Sequence, residues 1–122
     1  MINNTLSYLY ARAPLSTICF SGTVGTSSTG LPGPGGQSAN GFPLPRRGYI
    51  TGLHLWDGST YRFDTDEIAF VAGDCLSVYC QASGSDFLVK VRLNGNTTSL
   101  QLSSVPFNST LFVTVEFLVI RE

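Results

Sequence analysis

The stretch that decides the fold is LFVTVEFLVI, residues 111–120. In an extended chain Leu111, Val113, Val115, Phe117 and Val119 fall on one side, and Phe112, Thr114, Glu116, Leu118 and Ile120 on the other. Both sides carry apolar groups, which predicts a strand covered on two faces, central in a sandwich or partly against another subunit. Residues 53–56 repeat the pattern, with Leu53 and Leu55 opposite His54 and Trp56.

Working back from that strand, residues 49–56, 76–81, 87–93 and 97–102 also alternate at or near the strand period. Turn chemistry separates them. Asp57-Gly58 and Asn94-Gly95 are hairpin signals, and Ala72-Gly73-Asp74 and Ser83-Gly84-Ser85 read as tight turns. Residues 61–63 return from the first hairpin, residues 64–67 (Asp-Thr-Asp-Glu) read as a polar corner, and residues 68–71 resume the extended chain. Upstream, apolar runs at 6–11 and 15–20 flank Pro14, which favours two strands, or one bent strand, over a helix. The strands number about eight, enough for an all-β antiparallel jelly roll or β-sandwich.

A chain of 122 residues suits one domain with one core. It divides into N-terminal strands (1–21), an extended segment (22–47) and a strand-rich body (48–122). The middle segment is rich in Gly and Ser, holds Pro32, Pro34, Pro43 and Pro45, and shows little apolar periodicity, so it is not expected to fill a core. A connection this long is usually functional or disordered. It reads either as an arm laid over a neighbouring subunit or ligand, or as a mobile solvent-exposed loop, with Phe42 and Leu44 favouring docking. Its Leu31-Pro-Gly-Pro-Gly-Gly run lacks the strict glycine period of collagen.

Charged residues make up 12% of the chain, about half the ~25% usual in soluble domains. Ser, Thr, Asn and Gly take the polar positions, giving a surface that is easily buried. A net charge of -1 offers no basic cluster for nucleic acid or anionic lipid, and no run of about 20 apolar residues suits a membrane span. The N-terminus lacks a basic region followed by an apolar core, so classical secretion is not expected. Cys19, Cys75 and Cys80 are an odd number, and the interval between the last two sets them on opposite sides of one strand. They read as free buried thiols of a protein made in a reducing cytoplasm. The sequons at Asn3, Asn96 and Asn108 read as turn chemistry.

The residues suggest no catalytic machinery. The sole histidine, His54, has no Gly-x-Ser-x-Gly elbow beside it, and one histidine with scattered cysteines lacks the paired spacing of a zinc site. Asp64, Asp66 and Glu67 lack the glycine and distal glutamate of a calcium loop, and no glycine-rich stretch is followed by lysine and a helix. The expectation is a protein without cofactor or metal. Tyr49, Trp56, Tyr61 and Phe63 cluster around the first hairpin, where exposed rings would stack on sugars or fill a core or interface.

Three stretches carry a resemblance: residues 45–53 (PRRGYITGL) running on to Leu55, residues 70–78 (FVAGDCLSV) and residues 91–99 (VRLNGNTTS). An Arg-Gly turn opens a strand, an Ala-Gly-Asp turn opens the next, and an Asn-Gly hairpin follows. In this order they resemble the small jelly-roll modules of phage capsid decoration (cement) proteins, and of trimeric fibre heads and collagen-tail heads. The resemblance implies a homotrimer on the exterior of a capsid, bridging capsomers and catalysing nothing. It implies contact residues in the arm (Leu31, Phe42 and Leu44), in the pair Arg46 and Arg47, and at Trp56. Its partners would be itself and a major capsid or other virion protein, with no nucleic acid and no membrane. The alternative is a receptor- or glycan-binding head module of a tail fibre, using Trp56 and its neighbours.

Overall fold

Alternating apolar side chains need a second apolar layer, and this chain supplies it by folding its strands into two antiparallel sheets laid face to face. The computed structural model describes residues 15–34 and 41–120, all of them strand, turn or irregular chain without helix. The run at 6–11 lies outside the described residues. The strands are β1 (Leu15–Thr23), β2 (Thr29–Gly30), β3 (Phe42–Pro43), β4 (Gly48–Trp56), β5 (Tyr61–Phe70), β6 (Cys75–Ser83), β7 (Asp86–Leu93), β8 (Asn96–Pro106) and β9 (Thr110–Val119). One sheet has the order β1-β9-β4-β5; the other runs β2-β6-β7-β8, with β3 also on β6. The fold is an all-β sandwich, and β9 sits centrally in its sheet.

The core lies between the sheets. Ile18, Phe20, Leu53, Leu55, Val113 and Val115 face Leu76, Val78, Cys80, Phe87, Val89, Val91 and Leu100, all buried. Cys75 and Cys80 do face opposite sides of β6, and neither is paired. Cys80 is fully buried, whereas Cys19 is exposed and Cys75 half-buried, so only one of the three thiols is the buried hydrophobe the sequence suggested.

Two hairpins form as their turn residues dictate. Asn94 and Gly95 have φ of 53° and 80°, the left-handed pair that a two-residue turn between twisted strands requires. At the other hairpin, Asp57 Oδ1 accepts from Ser59 N at 2.9 Å and Thr60 N at 2.8 Å. Its other oxygen accepts from Arg62 Nη1.

The supposed polar corner at 64–67 is instead part of one continuous strand, β5. A register shift opposite Thr51 absorbs the extra residue there, and the acidic side chains reach across the sandwich edge to β8. Gln101 N donates to Asp64 Oδ2 at 3.2 Å, Ser99 Oγ donates to Asp66, and Arg62 Nη2 donates to Ser104 O at 3.0 Å. The carboxylates stitch the two sheets together along this edge.

Segment 22–47 departs furthest from expectation. Val24, Leu31 and Leu44 are buried core residues, and β2 and β3 lie along the outer edge of β6 as two pieces of an interrupted strand. Leu31 N donates to Val78 O at 3.0 Å, and Leu44 N to Asp74 O at 2.8 Å. Core filling needs single side chains at the right places rather than a periodic run, which is why composition concealed it. Leu44→Ala is therefore expected to cost about 2–4 kcal/mol, read as a lower urea midpoint with unchanged slope. A loss under about 0.5 kcal/mol would return the segment to the status of a loose arm.

The Asp57 turn makes a second prediction. The Thr60 backbone N–H holds the Asp57 carboxyl well below the ordinary value of 3.8; burial opposes this, and Arg62 and Ser59 add to the lowering. A depressed carboxyl stabilises the fold above its unfolded pKa, and that contribution is lost as pH falls through the folded value. Asp57→Asn should lower Tm by on the order of 5 °C at neutral pH. The gap to wild type should narrow on acidification below about pH 4. A gap independent of pH would place the stabilisation elsewhere.

Candidate functional site

The outer face of the β1-β9-β4-β5 sheet is where the chain leaves large rings in water. Cross-strand register places three rows there: Ser21–Phe112–Trp56–Tyr61, Cys19–Thr114–His54–Phe63 and Thr17–Glu116–Gly52–Thr65. Trp56 is 44% exposed, Phe112 53%, Tyr61 54% and Phe63 60%. Four exposed rings on adjacent strands form a contiguous apolar patch, which in soluble proteins marks an interaction surface.

His54 organises the centre of this face. Its ring lies nearly parallel to Tyr61 (centroids 5.9 Å apart, 14°) and Phe63 (6.3 Å, 19°), and those two rings stack on each other at 5.8 Å. Nδ1 is 2.5 Å from the Tyr61 hydroxyl and Nε2 is 2.5 Å from Glu116 Oε1. The Nε2 contact is a close approach without the alignment of a directed hydrogen bond. Gly52 makes the approach possible, since a Cβ there would stand 3.1 Å from His54 Nε2 and 3.5 Å from the Glu116 carboxylate. The three rows thus hold one acid and one histidine, set against each other.

The residues expected at an interface separate into three places. Leu31 and Leu44, 5% and 1% exposed, are inside the core and offer no surface; this corrects their assignment as contact residues, for the physical reason that the sandwich needs them. Phe42 is half-buried and lines a small cavity of about 100 Å³ with Phe20, Leu31, Pro34 and Ser77. Arg46 and Arg47 are exposed at the opposite end of the sandwich from the rings, beside an open groove of about 410 Å³ lined also by Val71, Ala72 and Ile120. Only Trp56 lies on the aromatic face.

His54, Trp56, Tyr61 and Phe63 could be grouped from the Asp57-Gly58 hairpin, since a hairpin fixes which residues oppose each other. Tyr49, which the sequence places in the same cluster, lies apart, beyond the register shift at Thr51. Phe112, Glu116 and Cys19 escaped sequence reasoning because their neighbours come from strands distant in the chain. Among the described residues no group of three or more His, Cys, Asp or Glu is placed to hold a metal ion. Comparison with known proteins adds no family: no family model, curated protein or solved structure matches the chain.

Proposed function

We propose that this chain is a non-enzymatic structural protein of a virus particle: a homotrimeric capsid decoration protein that seats on the shell exterior and stabilises it by bridging capsomers. The observation that carries the reading is the exposed aromatic face of a low-charge β-sandwich, a surface that calls for a cover. Unpaired cysteines fit synthesis in a reducing host cytoplasm before assembly. Arg46 and Arg47, at the end of the sandwich away from the rings, would face acidic groups of the capsid or another virion protein. Each exposed pair would contribute about 0–1 kcal/mol, so retention on a particle would come from several subunits binding together.

A second reading has its own observation. Trp56 and Tyr61 share one face with the Glu116 carboxylate, two rows away across His54, and so combine ring faces with a hydrogen-bond acceptor, the chemistry that would hold a sugar in a receptor- or glycan-binding head of a tail fibre.

Native mass across a dilution series, together with a glycan array on wild type and Trp56→Ala, separates the two. A trimer that persists on dilution, with no array signal, is the expected result. A monomer at every concentration would overturn the decoration reading, and a glycan signal lost in Trp56→Ala would replace it with the sugar-binding head.

A further inference from the structure

We propose that the outer face of the β2-β6-β7-β8 sheet holds a carboxylate-recognition site, in which Arg92, supported by Lys90, takes an Asp or Glu side chain presented by a partner protein. The site lies on the opposite side of the sandwich from the exposed rings. It goes beyond the decoration reading and needs no oligomer.

Alternation fixes which residues stand on this face. Along β7 Val89 and Val91 point into the core, so Asp86, Leu88, Lys90 and Arg92 point outward; along β6 Ser77, Tyr79 and Gln81 do the same. Register then sets Arg92 between Ser77 and Thr97, and Lys90 between Tyr79 and Gln101. The Arg92 guanidinium carbon lies over the Tyr79 ring, 3.8 Å from its centre. That ring holds the guanidinium in place, so little side-chain freedom is left to lose when a ligand arrives.

What Arg92 lacks is an anion. Among the described residues Arg62 pairs with Asp57, while no carboxylate lies within ion-pair distance of Arg92 or Lys90. Nε of Arg92 is closed off from solvent without a hydrogen-bond partner, which leaves its two Nη groups to make charge-assisted bonds. Two parallel N–H donors match the two oxygens of a carboxylate. Lys90 donates to Gln81 Oε1 at 2.5 Å and adds a second positive charge one row on. The positive stretch is short, because acids bracket it. Asp86 stands four residues before Lys90 on the same face, about 13 Å along an extended strand. At the other end Asn94 Nδ2 donates to Asp74 Oδ1 at 3.0 Å. A polyanion laid along the face would meet both acids, whereas a single acidic side chain fits between them.

Lys90 is the only lysine of the chain, so amine chemistry reports on this site with the amino terminus as reference. The test couples the peptide acetyl-Glu-Ser-Glu-amide to the full chain with a water-soluble carbodiimide and reads the adducts by mass spectrometry. In an extended peptide its two carboxylates fall on one side, at the spacing of Lys90 and Arg92. The Lys90 adduct, taken relative to the amino-terminal one, should fall several-fold in Arg92→Gln and stay at the wild-type level in Arg46→Gln, which removes an exposed cation elsewhere. Arg92→Lys keeps the charge without the fork and should restore only part of the adduct. Arg92 is half-exposed, so both of its variants should unfold in urea close to wild type. Labelling of Lys90 that is indifferent to Arg92→Gln, or fully restored by Arg92→Lys, would overturn the inference. Loss of the adduct on adding dextran sulfate at constant ionic strength would also overturn it, in favour of an extended polyanion. None of these readouts depends on subunit mass, so their failure leaves the decoration reading in place.

Discussion

The structure turns on one extra residue in β4. Between Ile50 and Gly52 this strand advances two residues while its neighbour β9 advances one, and β5 advances three. The shift reverses the alternation, because a one-residue slip sends every later side chain to the other face. Ile50 points into the core before the shift, and Leu53 and Leu55 point into it afterwards. Without the shift His54 and Trp56 would follow Ile50 inward, and Leu53 and Leu55 would stand in water. Thr51 absorbs the irregularity: it is 7% exposed, and its hydroxyl donates to Glu116 O at 3.4 Å. The packed core and the aromatic face are two consequences of this one bulge.

The neighbouring strand shows how polar side chains take over where backbone pairing stops. β5 is the last strand of its sheet and β8 the last of the other, so the sandwich would gape along this edge. Arg62, Asp64 and Asp66 close it with side-chain hydrogen bonds to β8, and Asp57 holds Arg62 in place. The Ser99 hydroxyl and the Glu67 amide hold the Asp66 carboxyl below its ordinary range, so it stays ionised as an acceptor across most of the pH scale. Two carboxylates of an acidic run that composition alone presents as a turn or a cation site, Asp64 and Asp66, are here structural, their oxygens engaged by backbone amides and a hydroxyl.

What the sequence made legible was local. Glycine at Gly58, Gly73, Gly84 and Gly95 marked four turns, each with positive φ, and the alternation between them gave β6, β7 and most of β8 and β9. What it concealed depends on residues far apart in the chain. The Thr51 bulge has no signature in alternation, since Tyr49 to Trp56 reads as one regular strand. Leu31 and Leu44 sit among prolines and glycines, and only the β6 edge, about 30–50 residues further on, gives them a place in the core. The site was half legible for the same reason: the hairpin reveals its β4–β5 half, while Phe112 and Glu116 join it through β9, which lies some 50 residues further along the chain.

The way the edges are finished bears on how such a face can be tolerated. Exposed strand edges invite open-ended pairing with other chains, and exposed rings add to that risk. Here β5 is sealed to β8, the outer edge of β6 is occupied by β2 and β3, and Ser21 N on β1 donates to Pro32 O at 3.1 Å. Several main-chain groups along these edges are engaged, while the flat face is left uncovered. In the assembly proposed above, contact would run through side chains on that patch more readily than through backbone ladders. Patch contacts related by rotation can close into a ring of fixed size, whereas edge ladders extend without limit. Partly occupied edges and an open aromatic face are compatible with the finite assembly proposed above.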